Sequence, residues 1–320
     1  ADVGRKKMDR KYLRKSVGKT ARDVFLYNLI MIAVATAVMV FNLNRALSQI
    51  QLDAASQIQG EEILGAGAAS IIGVCAGLFY LAWRSKKKQL YPKIRMRNQK
   101  MTGVRFLQLF SLFMACQLLF QIGAVGAEGI LNHWGYTLSA QVESASALSS
   151  TLGMFFYTAF VGPVAEEIVF RGFVLRSLQP LGKGLAILVS AVLFGVMHGN
   201  FIQGFFAIGV GFILGYVAVE YSMGWCVLMH ILNNLVFSEL LGKVIGRYSQ
   251  GTQALVNFAV MGSFFVIALV TAVKKKEQIR NWWRQNRPAG RECLSALTTG
   301  WILLFFLLEF LTAFQGIQRI

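Results

Sequence analysis

Charge is what this sequence has least of, and negative charge least of all. Only 15% of its 320 residues are Asp, Glu, Lys or Arg, against about 25% in an ordinary soluble domain. Fifteen residues are acidic and 32 basic, for a net charge of +17. Proline is scarce too, with four residues, and no Pro-rich linker, low-complexity tract or internal repeat divides the chain. The four cysteines, Cys75, Cys116, Cys226 and Cys293, form no CxxC pair. Three of them lie in apolar runs, where a small buried hydrophobe is the natural reading and a disulfide framework is not. There is no HExxH, no zinc-finger spacing and no RNA-binding signature, so nothing assigns the basic excess to a nucleic acid.

What the chain has in plenty is apolar residues, 55% of the total. They recur in runs of about 18 or more, each long enough to cross a bilayer. Helices are expected at about 24–42, 63–83, 104–126, 148–178, 185–198, 201–219, 225–241, 254–273 and 294–314. The fold class is therefore all-α: a polytopic transmembrane bundle of about eight or nine helices, forming one membrane domain over 24–320. Residues 1–23 read as a basic arm, and the stretch before Met8 reads as a remnant. The run Phe25–Phe41 is longer than a signal-peptide core and more spans follow it, so it reads as a retained first helix. Basic residues then set the topology. With the N-terminus in the cytoplasm, 28 of the 32 Lys and Arg fall on that side, and only Arg45, Lys243, Arg247 and Arg319 on the other. Such basic edges also suit anionic lipid headgroups.

Against this background a few polar residues stand out, because each ionisable group inside a span costs about 3 kcal/mol on insertion scales. Glu166, Glu167 and Arg171 lie on the long fourth helix, His198 ends the short fifth, and His230 and Asn234 lie on the seventh. Glu167 and Arg171 are four apart and share a helix face, which suits an ion pair. Glu166 points about 100° away, free to face a cavity. Phe194 and His198, and likewise His230 and Asn234, are again four apart. Depth agrees as well. At ~1.5 Å per residue, all four polar positions lie roughly 9–21 Å inside the cytoplasmic ends, so one cytoplasm-facing cavity within 148–241 gathers them. A carboxylate beside a histidine polarises water as a general base, and a His–Asn pair donates to a developing oxyanion. That set suits amide hydrolysis without a covalent intermediate.

The three patterns, "EEIVFR" as EExxxR, "FGVMH" as FxxxH and "HILNN" as HxxxN, occur in that order on apolar segments. In this they resemble the signature of the CAAX-protease and bacteriocin-processing (CPBP, Abi) family, which includes the type II CAAX prenyl endopeptidases. The resemblance covers about 150–240. It implies a glutamate-dependent intramembrane protease with no cofactor and no metal. Glu166 and His198 would activate the water, His230 and Asn234 would form the oxyanion hole, and Glu167, Arg171 and Phe194 would support them. The segment looks most like bacterial members, which implies a bacterial cytoplasmic membrane. The implied substrate is a peptide or protein tail, such as a pheromone or bacteriocin precursor, rather than a prenylated CAAX protein.

Other readings compete for the same residues. Cys226 lies four before His230, the spacing of a cysteine–histidine nucleophile pair. Glu166, His198 and His230 are a three-ligand set for zinc. A non-enzymatic scaffold or bacteriocin-immunity protein, or a transporter using the polar groups as an ion path, remain as other classes. Of the outlying acids, Glu220 reads as a solvated edge and Glu309 has no evident partner. The aromatic "NWWRQNR" reads as an interface anchor.

Overall fold

The structure, a computed structural model, describes residues 9–50 and 65–320. The stretch before Met8 therefore lies outside the described residues. Among the described residues thirteen helices follow one another: α1 (Arg10–Ile50), α2 (Ala66–Lys87), α3 (Tyr91–Ile94), α4 (Gly103–His133) and α5 (Ser139–Ser146) come first. Next are α6 (Leu152–Leu181), α7 (Lys183–Val196), α8 (Phe201–Glu220) and α9 (Met223–Ile245). Last come α10 (Gln250–Lys274), α11 (Lys276–Asn286), α12 (Gly290–Leu297) and α13 (Gly300–Gln315). Two short strands, β1 (Tyr136–Thr137) and β2 (Gln318–Arg319), pair antiparallel. Seven of these helices are long and apolar enough to cross a membrane, and eight spans result if the bent pair α12–α13 is one. The protein is an integral membrane helical bundle.

Several helices run past their apolar cores. The first does so by fourteen residues, because Leu13, Val17, Ala21 and Val24 repeat at spacings of four, four and three and are all buried. Residues 10–23 of the expected basic arm thus continue the first helix. Arg14 fastens this extension by donating from Nη2 to the Thr298 carbonyl, 2.9 Å away. Thr298 lies at the break where α12 and α13 bend by 65°. α4 continues to His133, and near its end Glu128 accepts from the Leu138 amide at 2.7 Å. At 14 residues, α7 is ~21 Å long and too short for a ~30 Å hydrocarbon core. It is enclosed by its neighbours, with ten of its residues buried.

Close helix approach depends on glycine. An added Cβ at Gly77 of α2 would stand 2.6 Å from the Tyr27 ring, and one at Gly73 2.5 Å from the Met31 carbonyl. With apolar lipid outside there is little hydrophobic drive between helices, so such backbone-to-side-chain packing is what holds them. The edge acid Glu220 corrects the sequence expectation. It is buried and holds Lys183 Nζ at 2.8 Å and the Trp282 indole N–H at 2.9 Å. Its charge is neutralised by a lysine on α7, which a one-dimensional view of the helix end does not show.

Candidate active site

The site is built on α6, which is not a uniform α-helix. It is π-helical over Tyr157–Val161 and again over Ile168–Val174. The turn carrying both glutamates lies between these two segments. π-turns are rare and recur at functional sites. Glu167 is sealed from solvent, and its Oε1 accepts from Arg171 Nη1 at 3.0 Å, with both side chains fully buried. Glu166 faces the other way and keeps a quarter of its side chain exposed. The i,i+4 pairing and the divergence of the two acids are as the spacing predicts.

His198 does not lie inside a helix. α7 ends at Val196, and the chain turns at Gly199, whose φ of 56° is a left-handed value that glycine adopts without steric cost. Phe194 therefore meets His198 across the last turn, with ring centroids 5.0 Å apart. The Phe194 carbonyl lies 2.8 Å from His198 Nδ1. A carbonyl only accepts, so Nδ1 carries the hydrogen and Nε2 keeps its lone pair. Phe194 also packs edge-on to His230, with centroids 6.0 Å apart, and lies under the Arg171 guanidinium at 4.4 Å. One aromatic ring thus holds both histidines and the arginine.

His230 bridges the two acids. Its Nδ1 donates to Glu167 Oε1 at 2.9 Å, while Nε2 stands 3.6 Å from Glu166 Oε2. Asn234 belongs to a third π-helical segment, Leu232–Leu240. Its Nδ2 donates to the Thr158 carbonyl at 2.9 Å, and its Oδ1 accepts from Asn233. Asn233 in turn accepts from Gln117. Cys226 is fully buried, and its thiol is turned to the Leu214 carbonyl, 3.2 Å away, not to His230. Among the described residues, no three His, Cys, Asp or Glu side chains gather as a metal-binding group.

A cavity of about 130 Å³ lies over Glu166 and His198. Its other walls are Tyr27, Met31, Val74, Tyr157, Gly162, Ala165 and Met197. Glu166 and His198 are thus brought together. Glu167, Arg171, Phe194 and His230 stand behind them, and Asn234 is not among the lining residues. No motif pointed to the walls supplied by α1 and α2. The one signal was Tyr27 and Asn28 together in an otherwise apolar run.

Residues 148–236 match the family described as type II CAAX prenyl endopeptidase Rce1-like. This stretch carries all three motifs and every glutamate, histidine and asparagine of the site. Over this stretch the chain is similar to membrane proteases of the CAAX-protease and bacteriocin-processing family. It is also similar to "Putative membrane peptidase YdiL" of Bacillus subtilis (strain 168), 22% identical over 179 residues, which is 54% of this chain and 72% of that protein. No solved structure matches it. The family match ends short of α1, α2, α4 and α10–α13, so those helices are outside its reach.

Proposed function

We propose that this protein is an intramembrane endopeptidase of glutamate type, cleaving peptide bonds of membrane-associated peptides or protein tails without a metal. The observation that carries the reading is a single cavity lined by both Glu166 and His198, a histidine whose Nδ1 is already engaged by the Phe194 carbonyl. A water there donates one hydrogen to the Glu166 carboxylate and the other to His198 Nε2. Its oxygen then attacks the scissile carbonyl carbon while the Glu166-bound proton transfers. The tetrahedral intermediate collapses when that proton passes to the leaving nitrogen, and the C–N bond breaks. His230 Nε2, 3.6 Å from Glu166, accepts a hydrogen bond from Glu166 while Glu166 holds the proton. The oxyanion role implied for His230 and Asn234 needs an N–H from each. Asn234 retains one amide hydrogen beyond its bond to Thr158, and His230 offers one only as imidazolium.

A groove of about 450 Å³, lined almost wholly by apolar residues of α7, α8 and α13, borders the same 196–199 turn. It supports a substrate with an apolar, membrane-seated portion, such as a pheromone or bacteriocin precursor. The 28-to-4 division of basic residues supports a cytoplasmic N-terminus, a cavity facing the cytoplasm and contact with anionic lipids. The test is cleavage of a quenched-fluorescent peptide library by detergent-purified protein, with Glu166→Ala, His198→Ala and Cys226→Ala beside it. Loss in the first two variants, and activity that survives a chelator, are expected. Activity in Glu166→Ala equal to wild type refutes the proposal.

A further inference from the structure

Acyl transfer to water needs a donor for the oxygen of the scissile carbonyl, and the groups expected to supply it are largely engaged. His230 spends Nδ1–H on Glu167, so a neutral ring has no hydrogen left. Asn234 donates to Thr158 and lines no part of the cavity. The cavity wall does contain a phenol from outside the family-matched segment. Tyr27 of α1 borders the same 130 Å³ space as Glu166 and His198. It is 1% exposed.

Tyr27 is also held firmly. Its ring lies against Gly77 of α2, where an added Cβ would reach Cδ2 at 2.6 Å and Cε2 at 2.7 Å. The next residue, Asn28, donates to Glu309 Oε1 of α13 at 2.8 Å. Oε2 of Glu309 lies where a Cβ at Gly199, next to His198, would stand 3.0 Å away. One carboxylate therefore spans from α1, beside Tyr27, to the turn that carries His198. Glu309 thereby gains a partner in Asn28, with its other oxygen lying against the turn that carries His198. A donor fixed before reaction needs no reorganisation as charge develops, which is the condition for electrostatic catalysis.

We infer that Tyr27 is a catalytic residue whose hydroxyl donates to the carbonyl oxygen of the scissile bond as it becomes an oxyanion. Asn28 and Glu309 act as positioning residues for it. The inference rests on the peptidase reading of the cavity. A phenol needs no prior protonation to donate, unlike His230. The donor is used in the transition state, so its loss lowers kcat more than it raises KM.

The test uses full-length protein in detergent and a quenched-fluorescent peptide that the wild type cleaves. Tyr27→Phe keeps the ring on Gly77 and removes only the hydroxyl. It is expected to lower kcat about 10²- to 10³-fold, the loss seen on removing one oxyanion donor, with KM and the unfolding midpoint unchanged. In a Glu166→Gln background, Tyr27→Phe should leave the Kd for the same peptide unchanged within about twofold, as a transition-state donor requires. Glu309→Gln keeps an acceptor for Asn28 and should retain kcat, whereas Glu309→Leu should lower it. Tyr27→Phe with wild-type kcat, or a weakened Kd that accounts for the whole loss, overturns the inference. So does a loss confined to Tyr157→Phe. A Glu166→Gln variant as active as wild type instead overturns the peptidase reading, so the two failures are distinct.

Discussion

Replacing Arg171 with methionine separates the brace from the chemistry. Arg171 and Glu167 are both sealed from solvent, 3.0 Å apart. Removing the arginine leaves the Glu167 carboxylate buried with His230 Nδ1 as its remaining partner. Breaking a buried pair from one side costs about 3–5 kcal/mol, whereas removing both charges together is often nearly neutral. Arg171→Met alone should therefore destabilise the protein by ~3–5 kcal/mol. The double variant Glu167→Gln, Arg171→Met should recover most of that, because glutamine still accepts from His230 Nδ1. Unfolding midpoints in SDS-containing mixed micelles measure both, and the cycle isolates the coupling. Part of the Arg171→Met loss comes from the guanidinium over Phe194, 4.4 Å away, which contributes about 0.5–2 kcal/mol and is not restored in the double variant. A single variant as stable as wild type, or a double variant no better than the single, refutes the reasoning.

Glu166→Gln should lower kcat by about 10²- to 10⁴-fold, the range for a general base, with an unchanged unfolding midpoint; an activity assay paired with a melting curve checks both. Cys226→Ala should keep cleavage activity, since its thiol faces the Leu214 carbonyl, and kinetics that collapse would restore the cysteine alternative. Gly67→Ala should destabilise the fold strongly, because the added Cβ would collide with the Gly153 backbone, and expression level with melting temperature reports it. A one-methyl overpacking error of this kind costs about 1–3 kcal/mol.

The spacing rule worked where chemistry is local. Glu167 with Arg171 and Glu166 turned aside follow from the helical period alone, and Phe194 meets His198 across the turn that ends α7. The short α7 and the apolar spans were legible too. What the sequence did not reveal is held across long stretches of chain. Asn28 with Glu309 and Arg14 with Thr298 join positions 281 and 284 apart, and no periodicity reports a partner so distant. Asp23 is a similar case: it is buried among Arg22, Arg84 and Lys88, all within 3.3 Å, although hydropathy places it at an edge. The end of α7 before His198 was legible in principle, because glycine just past the last turn is a stop signal. The buried stripe Leu13, Val17, Ala21, Val24 likewise announces that the first helix starts early.

The π-helical segments tie these observations to one physical requirement. Inside a bilayer a backbone carbonyl short of its donor costs several kcal/mol, so irregular helix persists only where another group satisfies it. Two side chains from other helices reach carbonyls of these segments, at Phe170 in addition to the backbone bond from the Leu175 N–H. Asn234 donates to the Thr158 carbonyl, in the first π-segment, and Ser190 Oγ donates to the Phe170 carbonyl, in the second. Glu239, itself in the π-helical part of α9, takes the Thr158 hydroxyl at 3.1 Å and the Ser149 hydroxyl at 2.7 Å. The polar residues around the site thus fall into two groups. One pins the unusual turns that flank Glu166 and Glu167, and the other faces the cavity. Asn234 stands in the first group by its observed bond, while Glu166, His198 and Tyr27 stand in the second. A motif records which residue types recur at a spacing, and both duties leave the same mark in sequence. Asn234 can serve both: it holds a π-turn of α6 through its bond to Thr158 and keeps a second amide hydrogen.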